Sequence, residues 1–127
     1  MITYRDDLRP EPAILYLAVS LVRLNEALAR TARIYAGSNV VLTAWDRELF
    51  AGILRALSDG AYGGYIADLA IHPDYQRAEI GRTLLQRALA SNADVQFALR
   101  AAPTAADHYR HIGWQEVPNG WVWPRER

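Results

Sequence analysis

The amino-acid sequence predicts an α/β domain: one mixed sheet with helices on both of its faces. Three observations carry that prediction. Tyr65–Ile71 is an apolar run of strand length that breaks at His72-Pro73-Asp74. The chain then restarts as a helix, with Ile80, Leu84, Leu85, Ala88 and Leu89 on one face at the period of about 3.6 residues. Over the whole chain, strand-like and helix-like segments follow the order β-α-α-β-β-β-α-β-α-β-β, a pattern that builds a layered α/β sheet. With 127 residues, 51% of them hydrophobic, the chain forms one domain over 1–127 with a real core.

Each element has a local reason. Ile2-Thr3-Tyr4 alternates as a short first strand. Glu11-Pro12 opens a helix, since proline suits a first turn, and Ile14, Leu17, Ala18, Leu21 and Val22 keep helical spacing. A second helix runs from about Asn25 to Tyr35, capped by Asn25 and ended by Gly37. Whether these are two helices or one is open. Val40–Trp45 and Glu48–Leu57 form a hairpin around Asp46-Arg47, and Gly63-Gly64 opens the central strand. The helix from roughly Glu79 to Ala90 follows. Asp94–Arg100 alternates, with Val95, Phe97 and Leu99 facing one way. A short helix, Ala105–His111, stops at Gly113. Trp114–Val117 and Trp121–Trp123 flank Pro118-Asn119-Gly120, and Asn-Gly between such segments predicts a last hairpin.

The totals exclude several function classes. Lys and Arg balance Asp and Glu at a net charge of zero, so no basic footprint points to nucleic acid. There is no cysteine, hence no disulfide, thiolate metal site or cysteine nucleophile. His108 and His111 sit three apart on a helix without a partner that would complete a metal set. The longest apolar run, Ala13–Val22, is too short to span a membrane and no signal segment precedes it, so a cytoplasmic location is expected.

The chemistry concentrates after the central strand. A buried strand feeds a short loop and then a helix N-terminus, where unpaired N–H groups and the positive end of the helix dipole make a ready anion site. Gln76 and Arg77 add donors, and Gly81 admits a ligand close to the backbone. Asp68 stands among Ile66, Ala67, Leu69 and Ala70. A buried carboxylate left unpaired costs several kcal/mol. It must therefore face a cleft or be held by backbone N–H groups or an arginine such as Arg55 or Arg100. Tyr109 reads on periodicity alone as a core tyrosine.

This block resembles motif A of the GNAT superfamily, the acyl-CoA-dependent N-acyltransferases. The strand ends in Ile71-His72-Pro73, and Gln76-Arg77-Ala78-Glu79-Ile80-Gly81 matches Gln/Arg-x-x-Gly-x-Gly/Ala except that Glu79 holds the first glycine position. Tyr109-Arg110-His111-Ile112-Gly113-Trp114 looks like the family's Tyr-x-x-x-Gly-Phe. The element order is also that of the family, so the resemblance covers nearly the whole chain.

The resemblance implies transfer of an acetyl group from acetyl-CoA to a primary amine by direct attack. The acceptor would be a small molecule or a peptide. Tyr109 would protonate the leaving thiolate, because a phenol of pKa about 10 keeps its proton at neutral pH. Asp68 would anchor the amine or act as base, as acids at this point do in some polyamine-modifying members. The backbone of Leu69, Ala70 and Ile71 would pair with the pantetheine arm, and one N–H there would polarise the thioester carbonyl. Arg77, Ala78, Glu79, Ile80, Gly81 and Arg82 would hold the pyrophosphate, with Arg82 or Arg87 reaching the 3′-phosphate. The family often has asparagine where this chain has Ala102, which removes one cofactor contact.

Glu79 sets the alternatives. Like charges ~5 Å apart at an effective dielectric of about 20 cost on the order of 3 kcal/mol, roughly a hundredfold in affinity. Either the enzyme tolerates Glu79 with weakened donor binding, or the protein is a catalytically silent binding or regulatory module, or Glu79 is a sequence anomaly. Trp114, Trp121 and Trp123 supply aromatic surface for a homodimer or for packing the last hairpin, and a purely structural dimerisation domain is the third class.

Overall fold

A computed structural model describes residues 1–6, 33–76 and 79–126. Its sheet contains β1 (Ile2–Arg5), β2 (Val40–Asp46), β3 (Leu49–Ser58), β4 (Gly63–Ile71) and β5 (Gln96–Leu99), side by side in chain order. The first four form an antiparallel meander. Helix α1 (Ile80–Ser91) then crosses over and β5 returns parallel to β4. The mixed α/β sheet expected from the sequence is therefore present. Helix α2 (Ala106–His111), entered through a 3-10 turn at Pro103–Ala105, closes the described elements.

Side-chain chemistry sets the two faces. Ile80, Leu84, Leu85 and Ala88 of α1 are buried against Ala44, Leu54, Ala56, Ile66 and Phe97. Leu89, expected on the same stripe, lies at its margin and is partly exposed. The opposite face buries Tyr35, Val41, Phe50, Ile53 and Ala70. The expected helices over Ala13–Val22 and Asn25–Tyr35 fall outside the described residues, apart from the end of the second. There residues 33–36 are helical and the Gly37 N–H donates to the Arg33 carbonyl at 3.0 Å.

Two turns follow their sequence signals. The β2–β3 hairpin turns on Arg47, which holds a left-handed φ of 57°. At the β3–β4 turn the Asp59 carboxylate accepts from the N–H groups of Ala61, Tyr62 and Gly63. Those bonds favour the ionised form and hold its carboxyl below the ordinary value.

The last hairpin is corrected. Residues 118–119 do turn, but Trp114–Val117 and Trp121–Trp123 form no ladder. Arms this short carry few cross-strand bonds, and a hairpin without a third strand or a packed face is marginal in water. Trp121 and Trp123 stand 93% and 95% exposed.

Candidate active site

β4 changes character at its midpoint. Gly63, Gly64, Tyr65 and Ile66 pair with Gln96, Phe97, Ala98 and Leu99 of β5. β5 ends at Leu99, opposite Ile66, and β4 runs on without it. On its other side β4 stays paired with β3, from Ser58↔Gly64 to Gly52↔Ile71, with one irregularity. Ala56 pairs with Ile66 and Arg55 with Asp68, so Ala67 is an extra residue in β4. A bulge of one residue reverses the facing of everything after it. Ile66 therefore points to the α1 side, and so do Leu69 and Ile71, while Ala70 packs with Tyr35 and Ile53 on the opposite side.

The bulge decides where Asp68 goes. It turns the side chain to the face of Arg55, and the Arg55 Nε donates to Asp68 Oδ2 at 2.6 Å. The two side chains are 12% and 2% exposed. Arg55 Nη1 also donates to Ser38 Oγ at 3.1 Å, and Ser38 Oγ donates to the Ile34 carbonyl at 2.7 Å. Arg55 lies over the Tyr35 ring, 5.9 Å from its centroid. Of the two arginines named from the sequence, Arg55 makes this ion pair and Arg100 is exposed. Ser38 was not singled out by sequence reasoning. Its only signal was position, just past the helix that Gly37 ends.

Where β5 ends, a cavity of about 240 Å³ opens beside β4. Ile66, Ala67, Asp68 and Leu69 line one wall; Leu99, Arg100, Ala101, Ala102 and Ala105 line the other, and Tyr109 reaches it from α2. Two residues far apart in sequence, Asp68 and Tyr109, thus border one space. Tyr109 is half-buried, with its ring 5.9 Å from Trp114 and 5.6 Å from His108, edge to face. Burial pushes its phenol above the ordinary 10.0, so it keeps its proton at neutral pH. Ala102 stands in the same wall.

Ala70 and Ile71 continue β4 past the last β5 pair, toward the loop that leads to α1. In that loop His72 Nδ1 accepts from the Asp74 N–H at 3.1 Å, and Gln76 is exposed. Arg77 and Ala78 lie outside the described residues. Glu79 occupies the N-cap of α1 with φ 59° and ψ 20°, and its side chain makes no capping bond. Its carbonyl accepts from Thr83 N at 3.1 Å and Thr83 Oγ1 at 3.0 Å. The N–H groups of Ile80, Gly81 and Arg82 precede the first intrahelical bond and point out of the helix end. Ile80 is buried in the core and Arg82 is exposed.

Glu79 stands in a left-handed conformation that favours glycine, and a non-glycine residue there costs about 1–2 kcal/mol. A glycine at this position would relieve that backbone cost. Gly81 differs. A Cβ there would meet only ordinary contacts, at 3.8 Å from Ile71 and Leu69. The protein's own packing makes no demand for glycine at that point.

One nearby contact was not read from the sequence. The Tyr75 hydroxyl donates to Asp46, tying the loop after β4 to the end of β2. That bond lowers the Asp46 carboxyl and raises the Tyr75 phenol. Among the described residues no three of His, Asp and Glu gather as a metal set, and no helix is long and apolar enough to cross a membrane.

Comparison with known proteins agrees with this architecture. The family model of the GNAT acetyltransferase domain matches residues 18–120. An uncharacterised N-acetyltransferase of Gracilaria tenuistipitata var. liui is 30% identical over 77 residues, which is 58% of this chain and 42% of that protein. A chloroplastic GCN5-related N-acetyltransferase of Arabidopsis thaliana is 32% identical over 72 residues, 54% of this chain and 28% of that protein. The chain thus spans less than half the length of these curated relatives. A GNAT family acetyltransferase from Streptococcus pneumoniae has the same fold, with a TM-score of 0.75 at 24% identity over 100% of this chain and 98% of that one. The chain belongs to the GNAT acetyltransferase family.

Proposed function

We propose that this GNAT-family chain is a cytoplasmic enzyme that moves an acetyl group from acetyl-CoA to a primary amine of a small molecule or peptide. The observation that carries the reading is the cavity where β4 runs on past β5, bordered by both Asp68 and Tyr109. The acetyl thioester enters along the edge of β4 that β5 leaves unpaired. Backbone groups of Leu69, Ala70 and Ile71 pair with the pantetheine arm as an added strand. One N–H of that segment polarises the thioester carbonyl. The pyrophosphate rests on the N-terminus of α1, over Gln76, Arg77, Ala78, Glu79, Ile80, Gly81 and Arg82.

In the transfer step the neutral amine attacks the thioester carbonyl carbon, a C–N bond forms and the C–S bond breaks. The departing thiolate takes the phenolic proton of Tyr109. The nitrogen sheds its surplus proton towards Asp68 through water. The Arg55 guanidinium compensates the buried Asp68 charge and fixes its orientation, which a base or anchor needs.

Glu79 is the observation that favours a second reading, a silent relative with weakened donor binding. Calorimetry with acetyl-CoA at low salt, wild type beside Glu79→Gly, separates the two. Wild type is expected to bind weakly and Glu79→Gly about a hundredfold more tightly, with an amine screen then giving turnover. Binding by Glu79→Gly alone would support the silent module, and binding by neither would sink the donor assignment.

A further inference from the structure

Resting on the transferase reading above, we propose that the acceptor is a small amine that carries its own carboxylate, and that Arg100 selects it. The bulge at Ala67 turns Asp68 to the face of Arg55. The carboxylate on the cavity wall is thereby paired with a guanidinium 2.6 Å away, and both side chains are largely buried. A carboxylate whose charge is already answered attracts a further cation far less than a bare one. Asp68 is thus suited to receiving a proton through water rather than to gripping a cationic chain.

Arg100 is in the opposite condition. It follows the end of β5 and lines the same cavity from the facing wall. It is exposed, and among the described residues it makes no ion pair. Its neighbours in that wall, Ala101, Ala102 and Ala105, bring no side-chain acceptor to it. Arg110, next to Tyr109 on α2, is by contrast engaged by Asp107 and Glu116. Among the described residues that line the cavity, Arg100 therefore holds the one charge without a counter-ion.

A guanidinium so placed selects an anion. Its planar fork matches a carboxylate through two parallel N–H bonds, stronger than neutral ones. A cleft whose uncompensated charge has one sign draws in ligands of the other. Size narrows the class further. The cavity, about 240 Å³, has to take the acetyl thioester as well as the acceptor, so a small molecule enters beside it rather than a length of peptide. With its carboxylate on Arg100, the acceptor presents its amine to the thioester. The nitrogen forms a C–N bond to the acetyl carbon as the C–S bond breaks. The thiolate takes the Tyr109 proton, the surplus amine proton leaves through water towards Asp68, and the carboxylate is unchanged. A diamine of the same length would set its second ammonium against the guanidinium, a like-charge contact that excludes it.

Thiol release from acetyl-CoA supplies the test, and the chain's lack of cysteine leaves coenzyme A as the source of the signal. The probes are glycine, β-alanine and γ-aminobutyrate, each beside the alkylamine and the diamine of the same chain length. Wild type is expected to turn over at least one aminocarboxylate with kcat/KM about tenfold or more above its alkylamine, and to disfavour the diamine further. Arg100→Glu should reverse the order, the aminocarboxylate falling and the diamine rising, and Arg100→Lys should restore part of the original order. A loss for one substrate and a gain for another in the same variant has no origin in misfolding. Equal turnover within each set overturns the proposal and leaves the transferase reading standing. So does an Arg100→Glu variant that acts on all acceptors alike through the KM of acetyl-CoA, which would assign Arg100 to the donor. Thiol release from none of the amines also overturns it, and a failure of acetyl-CoA to bind in calorimetry would then remove the transferase reading as well.

Discussion

The two halves of β4 differ in what lies beside them. Gly63–Ile66 is bonded to β3 on one side and β5 on the other, and it is ordinary sheet. Residues 67–71 keep β3 but have lost β5, and the 240 Å³ cavity lies where the missing partner would be. Hydrophobicity does not separate the halves. One extra residue at Ala67 and an early end to β5 do. A strand can thus be core along one half and line a cavity along the other, where its backbone groups lack the neighbouring strand.

Substitutions in each half test that division. The largest effect is expected at the buried pair of the open half. Asp68→Leu leaves the Arg55 guanidinium uncompensated and should cost about 3–5 kcal/mol in chemical denaturation, while Arg55→Met/Asp68→Leu should recover much of the loss. A double variant no more stable than the single one would mean that the pair is not the reason Asp68 is tolerated.

Tyr109→Phe comes next. It keeps the ring against Trp114 and should lower kcat at least about a hundredfold, with donor affinity little changed, if the phenol is the acid. Unchanged kcat would move the proton source elsewhere.

Two glycines then contrast the halves directly. At Gly64, in the closed half, a Cβ would sit 2.5 Å from Phe97 and 2.9 Å from the Leu57 carbonyl oxygen. Gly64→Ala should therefore cost about 1–3 kcal/mol and leave donor binding alone. Gly81→Ala, beside the open half, should do the reverse. It should raise stability by about 0.5–1 kcal/mol as a helix substitution and weaken acetyl-CoA binding in calorimetry. If Gly81→Ala leaves binding intact, the helix end is not where the phosphates lie.

The smallest effect is one of pH. Burial raises the Tyr109 phenol above 10.0, so the folded state prefers its protonated form. That contribution to stability is whole below pH 10.0 and is lost as pH rises through the folded value, and Tyr109→Phe should flatten this alkaline decline. The rate should likewise hold its plateau into the alkaline range before the acid form is depleted. An alkaline limb unchanged in the phenylalanine variant would assign it to another group.

The sequence made the regular elements legible. β-Branched and apolar runs marked β2 through β4, and the 3.6-residue stripe marked α1 to within a residue at each end. The family resemblance pointed to Tyr109 and Asp68, and the structure places both on the lining of one cavity. The bulge at Ala67 was not legible, because an alanine among apolar neighbours carries no signal for one. Hence the choice between Arg55 and Arg100 for Asp68 stayed open until the register was known. The left-handed backbone at Glu79 was hidden for a related reason: glutamate is a poor marker for positive φ, and only the glycine it replaces would have announced it. Asn119-Gly120 did mark a turn, but a turn signal says nothing about whether the arms beside it have enough partners to become strands.

The way β5 joins the sheet also has a consequence for how the protein comes into being. β2, β3 and β4 are joined by short turns, β2 to β3 through Arg47-Glu48, whereas β1 reaches β2 from far along the chain, Ile2 pairing with Asp46. β5 reaches β4 through the α1 crossover, so its pairing, like that of β1, joins distant residues and carries a larger loop-closure cost than the hairpins. The cavity lies against that pairing, so loosening of the β5 edge opens it. A donor bound there as proposed would hold β5 against β4, and the amides of β5 should then exchange with solvent more slowly than in the free protein.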